Sequence, residues 1–259
     1  MKATDRLRDE MAFHDTQAAD RATRFVDPAR LVFSDDEYLD HETWIRPAFN
    51  KLFPLDGFQL LDLGCGHGMA AIVAARAGAC VTALDLSAGY LAEARRRAEA
   101  NQVPGIHWIQ ADAEHLPFRD QQFDRIWGNA ILHHLDMDRV AVEIARVLRP
   151  GGVAVFCEPW GENPILEMAR RWVPYPGKDR TPNERPLRSA QLETLRRHFP
   201  CLETQGYQLL SMARRVLGHG HLAAGLAWCD VRLLRVVPVL SQYCRYAVLT
   251  IRRDEHGCF

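Results

Sequence analysis

Between residues 58 and 158, short apolar runs alternate with longer stretches in which apolar residues recur every three or four positions. Short runs of this kind mark strands buried on both faces, and the periodic stretches mark helices packed against them. FQLLDLG, CVTALDL, IHWIQAD, FDRIWGN and VAVFCEP read as five strands. MAAIVAARAG reads as a helix that stops at Gly78, and Ser87 as the cap of the helix AGYLAEARRRAEA. Val140, Ile144, Val147 and Leu148 fall on one helix face, which RPGG ends. LETQGYQLL and CRYAVLTIRR supply two final strands. Strand–helix alternation with short loops predicts an α/β fold, a mostly parallel sheet with helices on both faces.

The flanks have other patterns. Residues 1–50 read as an amphipathic helical cover, and 51–259 as the main domain. Residues 159–188 are rich in Pro and Arg and read as an inserted lid. Within it Asn163 followed by Pro164 starts a helix whose Ile165, Met168, Ala169 and Trp172 form an apolar stripe. An apolar helical insert is expected over about 212–240. Its stretch LAAGLAWCDVRLLRVVPVL is interrupted by Asp230, Arg232, Arg235 and Pro238, so it does not span a bilayer. It reads as a buried helix with a solvated edge. Weak contact with a membrane surface and self-association through this helix are left open.

Charge narrows the partners. With 259 residues and a formal net charge of −1, the chain has no basic field for nucleic acid. Seven cysteines, none in CxxC spacing, read as reduced thiols in a cytoplasmic protein. The start MKATDRLRDEMAFHD shows no apolar core of a secretory signal.

Ligands of such sheets bind at the carboxyl ends of the strands. That rim collects Gly64 to Gly68, Asp85, Asp112, Asn129 and Glu158. In LLDLGCGHG the glycines let a nucleoside approach the backbone, and a side chain at Gly64 or Gly66 would block it. Asp85 lies where a carboxylate accepts both ribose hydroxyls, which disfavours a 2′-phosphate. A nicotinamide dinucleotide and a sulfonium nucleoside both satisfy these two features. The spacing GxGxG, in place of GxGxxG, and the absence of a Tyr-x-x-x-Lys pair weigh against the former. No cysteine cluster or His/Asp set at the rim assembles into a metal site, so no metal is expected.

LLDLGCGHG, VTALDLS, QADAEHLPF, FDRIWGNAILHHL and RVLRPGG follow one another in order. Together they resemble the class I S-adenosylmethionine-dependent methyltransferases, in particular the small-molecule group known as type 11. The resemblance implies a Rossmann-like, seven-stranded sheet. It implies that Asp62, Gly64, Cys65 and Gly66 hold the methionine part of S-adenosylmethionine, and that Asp85 binds the ribose. Leu86 would pack on the adenine, Asp112 would receive its amino group, Ala113 would offer its N–H, and Asn129 would lie beside the methyl group. His67 stands where the family often has a small residue, and its role is open. The activity implied is methylation of a small, partly apolar or aromatic acceptor at O, N or C, leaving S-adenosylhomocysteine. A SAM-binding regulatory protein and an NAD-dependent dehydrogenase are the alternatives.

A general base is needed only if the acceptor atom must lose a proton. His134, His133, Glu158 and His14 are the candidates. His133 and His134 follow the fourth strand, and as neighbours they point apart, so at most one faces the site. Trp160, Trp172 and Tyr175 of the lid could stack on an acceptor, and Arg180, Arg185 and Arg188 could meet an anionic group on it.

Overall fold

In the computed structural model, which describes residues 3–25, 27–172, 185–214 and 220–254, the seven expected strands join one sheet. They are β1 (Gln59–Leu63), β2 (Cys80–Asp85), β3 (His107–Gln110), β4 (Phe123–Asn129), β5 (Leu148–Pro159), β6 (Glu203–Tyr207) and β7 (Tyr246–Arg252). Their order is β3-β2-β1-β4-β5-β7-β6. The first five are mutually parallel, and β7 runs antiparallel to β5 and β6. Leaving β1, the chain builds outward to β2 and β3, then returns to place β4 on the other side of β1. That reversal opens a crevice at the carboxyl ends of β1 and β4.

Side chains alternate between the two faces of a strand. Leu60 of β1 joins a core with Ile72 and Trp127, whereas Leu61 and Leu63 join a second core with Phe123 and Phe156. Helices cover both faces: α1 (Ala3–Arg24), α2 (Asp35–Leu39), α3 (Ile45–Phe49), α4 (Met69–Arg76), α5 (Ala88–Ala100), α6 (Met137–Val147), α7 (Pro164–Trp172), α8 (Ser189–His198) and α9 (His221–Val236). The starts of α5 and α7 follow their capping residues. Ser87 Oγ accepts from Tyr90 N at 3.1 Å. Asn163 Oδ1 accepts from the backbone N–H groups of Ile165 and Leu166 at 3.0 and 3.2 Å.

Two expectations about the flanks are corrected. The helix expected to be buried is largely exposed: Leu222, Trp228 and Val236 are 63%, 58% and 80% accessible. Its main polar anchor is Asp230, whose buried carboxylate accepts from Leu209, Leu210 and Ser211 N–H groups and from the Ser211 hydroxyl. Tied at that point, the helix turns much of its apolar surface outward, and Arg232 stacks over Trp228 at 3.9 Å. No described helix is long and apolar enough to cross a membrane. The second correction concerns the lid. Trp160 is buried in a bridge to Leu187, and Arg188 pairs with Glu167 at 3.7 Å. Tyr175, Arg180 and the side chain of Trp172 lie outside the described residues.

Asn163 also donates through Nδ2 to the Tyr243 carbonyl at 2.6 Å, tying the start of α7 to the segment before β7. Asn163→Ala removes a cap and this tie together. The expected loss is about 1–3 kcal/mol of stability, read as a lower urea midpoint with an unchanged slope.

Candidate functional site

A cavity of about 260 Å³ lies at the crevice, several times the roughly 30 Å³ that one water occupies in the liquid. Gly64, Gly66 and His67 of the first loop line it, with Asp85 and Leu86 after β2, Asp112 and Ala113 after β3, and Asn129 at the end of β4. Seven of the nine residues expected at the cofactor therefore share one wall. Asp62 and Cys65 do not line it: both are buried, behind the loop.

The glycines differ in what they do. Gly66 has φ +51°, and a Cβ there would meet nothing within 4 Å, so the backbone is bare and open. A Cβ on Gly64, at φ +71°, would strike the Ile131 side chain at 2.7 Å. Gly64 is thus required by packing as well as by conformation. Asp85 fixes the loop. Its Oδ2 accepts from Gly66 N at 2.7 Å and its Oδ1 from Ser87 N at 2.9 Å. Burial raises the Asp85 pKa, and those N–H groups oppose the rise. Each carboxylate oxygen keeps further lone pairs for a ligand. Asp112 accepts from Glu114 N at 2.8 Å and faces His115 Nδ1 at 3.0 Å.

His67 lines the cavity with a buried Nδ1 that has no hydrogen-bond partner. Burial, aided by the Arg21 and Arg97 charges, lowers its pKa to about 4. It therefore presents a neutral ring at neutral pH, able to donate or accept through either nitrogen.

The four base candidates separate into two groups. His134 and His14 line the cavity, together with Glu10. His133 and Glu158 do not. Glu158, fully buried at the end of β5, accepts from Ile131 N and Leu132 N through Oε1 at 3.1 and 2.8 Å. Its Oε2 lies 2.7 Å from His133 Nδ1. No lid arginine reaches it among the described contacts. The pair braces the 3-10 turn Leu132–His134, whose last residue faces the cavity. His133 and Glu158 are thus placed behind the site, because the buried carboxylate is used up on the turn's own donors.

Sequence reasoning expected a helical cover and named His14, but missed that Arg6, Glu10 and Gln17 of α1 join it at the cavity. Arg6, Glu10, His14 and Gln17 line the cavity from above. They lie at i, i+4, i+8 and i+11, one helix face, and that spacing was the available signal. Polar contacts hold this face down. Arg6 donates to the His134 carbonyl at 3.1 Å and pairs with Glu114. Asp15 accepts from Ser87 Oγ at 2.5 Å, and Gln17 accepts from Tyr90 OH at 3.0 Å. Arg21 grips Glu93 through two bonds of 3.0 and 2.8 Å. The His14 pKa is raised: burial opposes this, and Glu10 with Asp85 outweighs it.

The model of a family described as a methyltransferase domain matches residues 61–156, the segment from β1 to β5 that carries the loop and the acidic rim. These residues match as a methyltransferase domain, over somewhat more than a third of the chain. Over 115 residues the chain is 41% identical to a malonyl-[acyl-carrier protein] O-methyltransferase of Enterobacter lignolyticus, covering 44% of this chain and 43% of the relative. It is 43% identical over 114 residues to methyltransferase GfsG of Streptomyces halstedii, covering 43% of this chain and 41% of that one. Each match spans less than half of the relative's own length. Among solved structures, the [4+2]-cyclase SpnF superposes with a TM-score of 0.55 at 25% identity, covering 81% of this chain and 79% of that one.

Asp62 gives the methyltransferase domain a pH signature. Burial, with Asp85 adding, raises its pKa from an ordinary 3.8 to about 7, against the hydrogen bond from Ala71 N–H. The folded state then holds the proton more tightly than the unfolded one, so its contribution is fully present below pH 3.8 and is lost as pH rises to about 7. Asp62→Asn keeps an acceptor for that N–H and cannot ionise. Relative to the parent, this variant is expected to gain roughly 1–3 kcal/mol between pH 5 and pH 8. Parallel urea titrations at the two pH values check it, and a constant difference would contradict the assignment.

Proposed function

We propose that the chain transfers a methyl group from S-adenosylmethionine to a small-molecule acceptor. One observation carries the reading: a single cavity joins the open Gly66 backbone and Asp85 of the matched domain to a wall made by Glu10, His14 and His134. The donors fit the nucleoside. Asp85 would take the ribose hydroxyls, Leu86, Asp112 and Ala113 would flank the adenine, and Gly64, Gly66 and Asn129 would line the methionine tail. When bound, the cofactor supplies a methyl group on a sulfonium, which is already a good leaving group.

The chain's own part is to align the acceptor with that methyl group and to keep water out. Leu7, Ile131 and Leu135 offer apolar contact, and Glu10, His14 and His134 a polar end. The acceptor read from this wall is partly apolar with a polar head, and a relative named for malonyl-[acyl-carrier protein] fits an acceptor of that mixed kind. In this reading His134 and His14 face the acceptor's polar atom. His133 and Glu158 are positioning residues that hold the His134 turn. The free cysteines among the described residues support a cytoplasmic setting.

A second reading, S-adenosylmethionine binding without methyl transfer, is favoured by one finding: a structural neighbour at 25% identity is named a cyclase. Calorimetry with S-adenosylhomocysteine and NAD comes first. Binding of the former alone is expected, and Asp85→Ala should weaken it at least about tenfold, or 1.4 kcal/mol. Labelled S-adenosylmethionine is then offered with hydroxylated, amino and acyl acceptors. Transfer supports the main reading, and binding with no transfer to any of them supports the second. His134→Ala should lower turnover while the affinity for S-adenosylhomocysteine holds.

A further inference from the structure

We propose that Glu10, His14 and His134 form a binding site for a divalent cation of the zinc class. Glu10 and His14 lie one turn apart on α1 and present their groups on the same face. His134 comes from the 3-10 turn after β4, more than a hundred residues along the chain. One ligand atom from each lies within 4.8 Å of the other two. Glu10 Oε2 is 3.5 Å from His14 Nε2 and 3.3 Å from His134 Nδ1.

Those separations fit a ligand set as well as a long Glu10–His14 hydrogen bond. A charge-assisted N–H to carboxylate bond is about 2.7–2.9 Å long, shorter than either contact. Two ligands at about 2.0–2.1 Å from a tetrahedral zinc lie about 3.3–3.4 Å apart, close to both. The buried His134 Nδ1 makes no hydrogen bond, so nothing but the Glu10 carboxylate occupies its lone-pair or N–H direction.

The donor chemistry agrees. Two imidazoles and one carboxylate suit zinc or a neighbouring transition ion, whereas magnesium prefers an all-oxygen shell. Two histidines and a glutamate are also a known zinc set that leaves a fourth position open. All three residues line the cavity, so an ion held by them would be reached from it. The Arg6 guanidinium beside His134 pairs with Glu114. The charged groups facing the cluster are then Arg6 and Glu114 beside His134, and Asp85 across the cavity. Histidine spacing along the sequence conceals the site, since α1 supplies two ligands and a distant loop supplies the third.

A cation at this point would bind an oxygen or nitrogen of the acceptor's polar head. That role rests on the methyl-transfer reading, whereas the cation site itself does not. The test uses the full chain, with any affinity tag removed and metals stripped by chelation. Calorimetric titration with zinc chloride is expected to show one site per chain, and magnesium chloride at the same concentration no heat of binding. Glu10→Gln and His134→Ala should each weaken zinc at least about tenfold, while His107→Gln, on the exposed start of β3, leaves it unchanged. Cobalt in place of zinc should give the strong visible absorption of a four-coordinate ion, lost in Glu10→Gln. Circular dichroism of each variant confirms that it is folded. No zinc binding by the parent chain, or binding that folded Glu10→Gln and His134→Ala leave unchanged, overturns the site. S-adenosylhomocysteine is titrated separately: its failure to bind sinks the cofactor reading and leaves the zinc result standing.

Discussion

The geometry of the site depends on one carboxylate. Asp85 ends β2, the second strand in the sequence, and both of its oxygens are engaged with backbone N–H groups. Through Gly66 it sets the loop after β1, and through Ser87 it sets the start of α5. Ser87 in turn donates to Asp15, which draws α1 down over the rim. Burial alone would push Asp85 toward the neutral acid, and the two N–H groups pull back toward the anion. Three walls of the cavity are thereby referred to a single position, and a ligand that binds Asp85 meets all of them.

The parts that were legible in the sequence are those where one constraint acts. β1, β2, β4 and β5 lie inside a sheet covered on both sides, so they read as short, largely apolar runs. Ser87 and Asn163 were readable because a cap is chosen by local chemistry. Glu158 was readable as a rim residue and misread as a site residue. Its position at the end of β5 is right, but the turn after β4 delivers two N–H groups and His133 onto it, and no one-dimensional pattern carries that contact. Gly64 shows a related limit: the turn predicts the glycine, while the clash it avoids comes from Ile131 on a different loop. The helix 221–236 was misjudged because hydrophobicity was equated with burial. One buried aspartate anchors it and leaves much of the apolar surface outside.

The cover over the cavity is made of different material from the floor. Among the described side chains of α1, Ala18 is the one buried apolar residue. Much of the rest of its attachment is polar or ring contact: hydrogen bonds and ion pairs from Arg6, Asp15, Gln17 and Arg21, Glu10 against His134, and the His14 ring against Tyr90 and His134. Exposed contacts of this kind contribute on the order of 1 kcal/mol each, whereas those that end on the buried Glu93 and Glu114 would leave a buried charge if broken. The floor is a sheet whose core residues, such as Leu61, Ile126 and Val155, are completely inaccessible, and its opening would expose apolar area at about 25 cal/mol per Å². The cover is thus held chiefly by polar contacts and the floor by apolar burial. It also carries Glu10 and His14, so α1 completes the polar wall of the cavity.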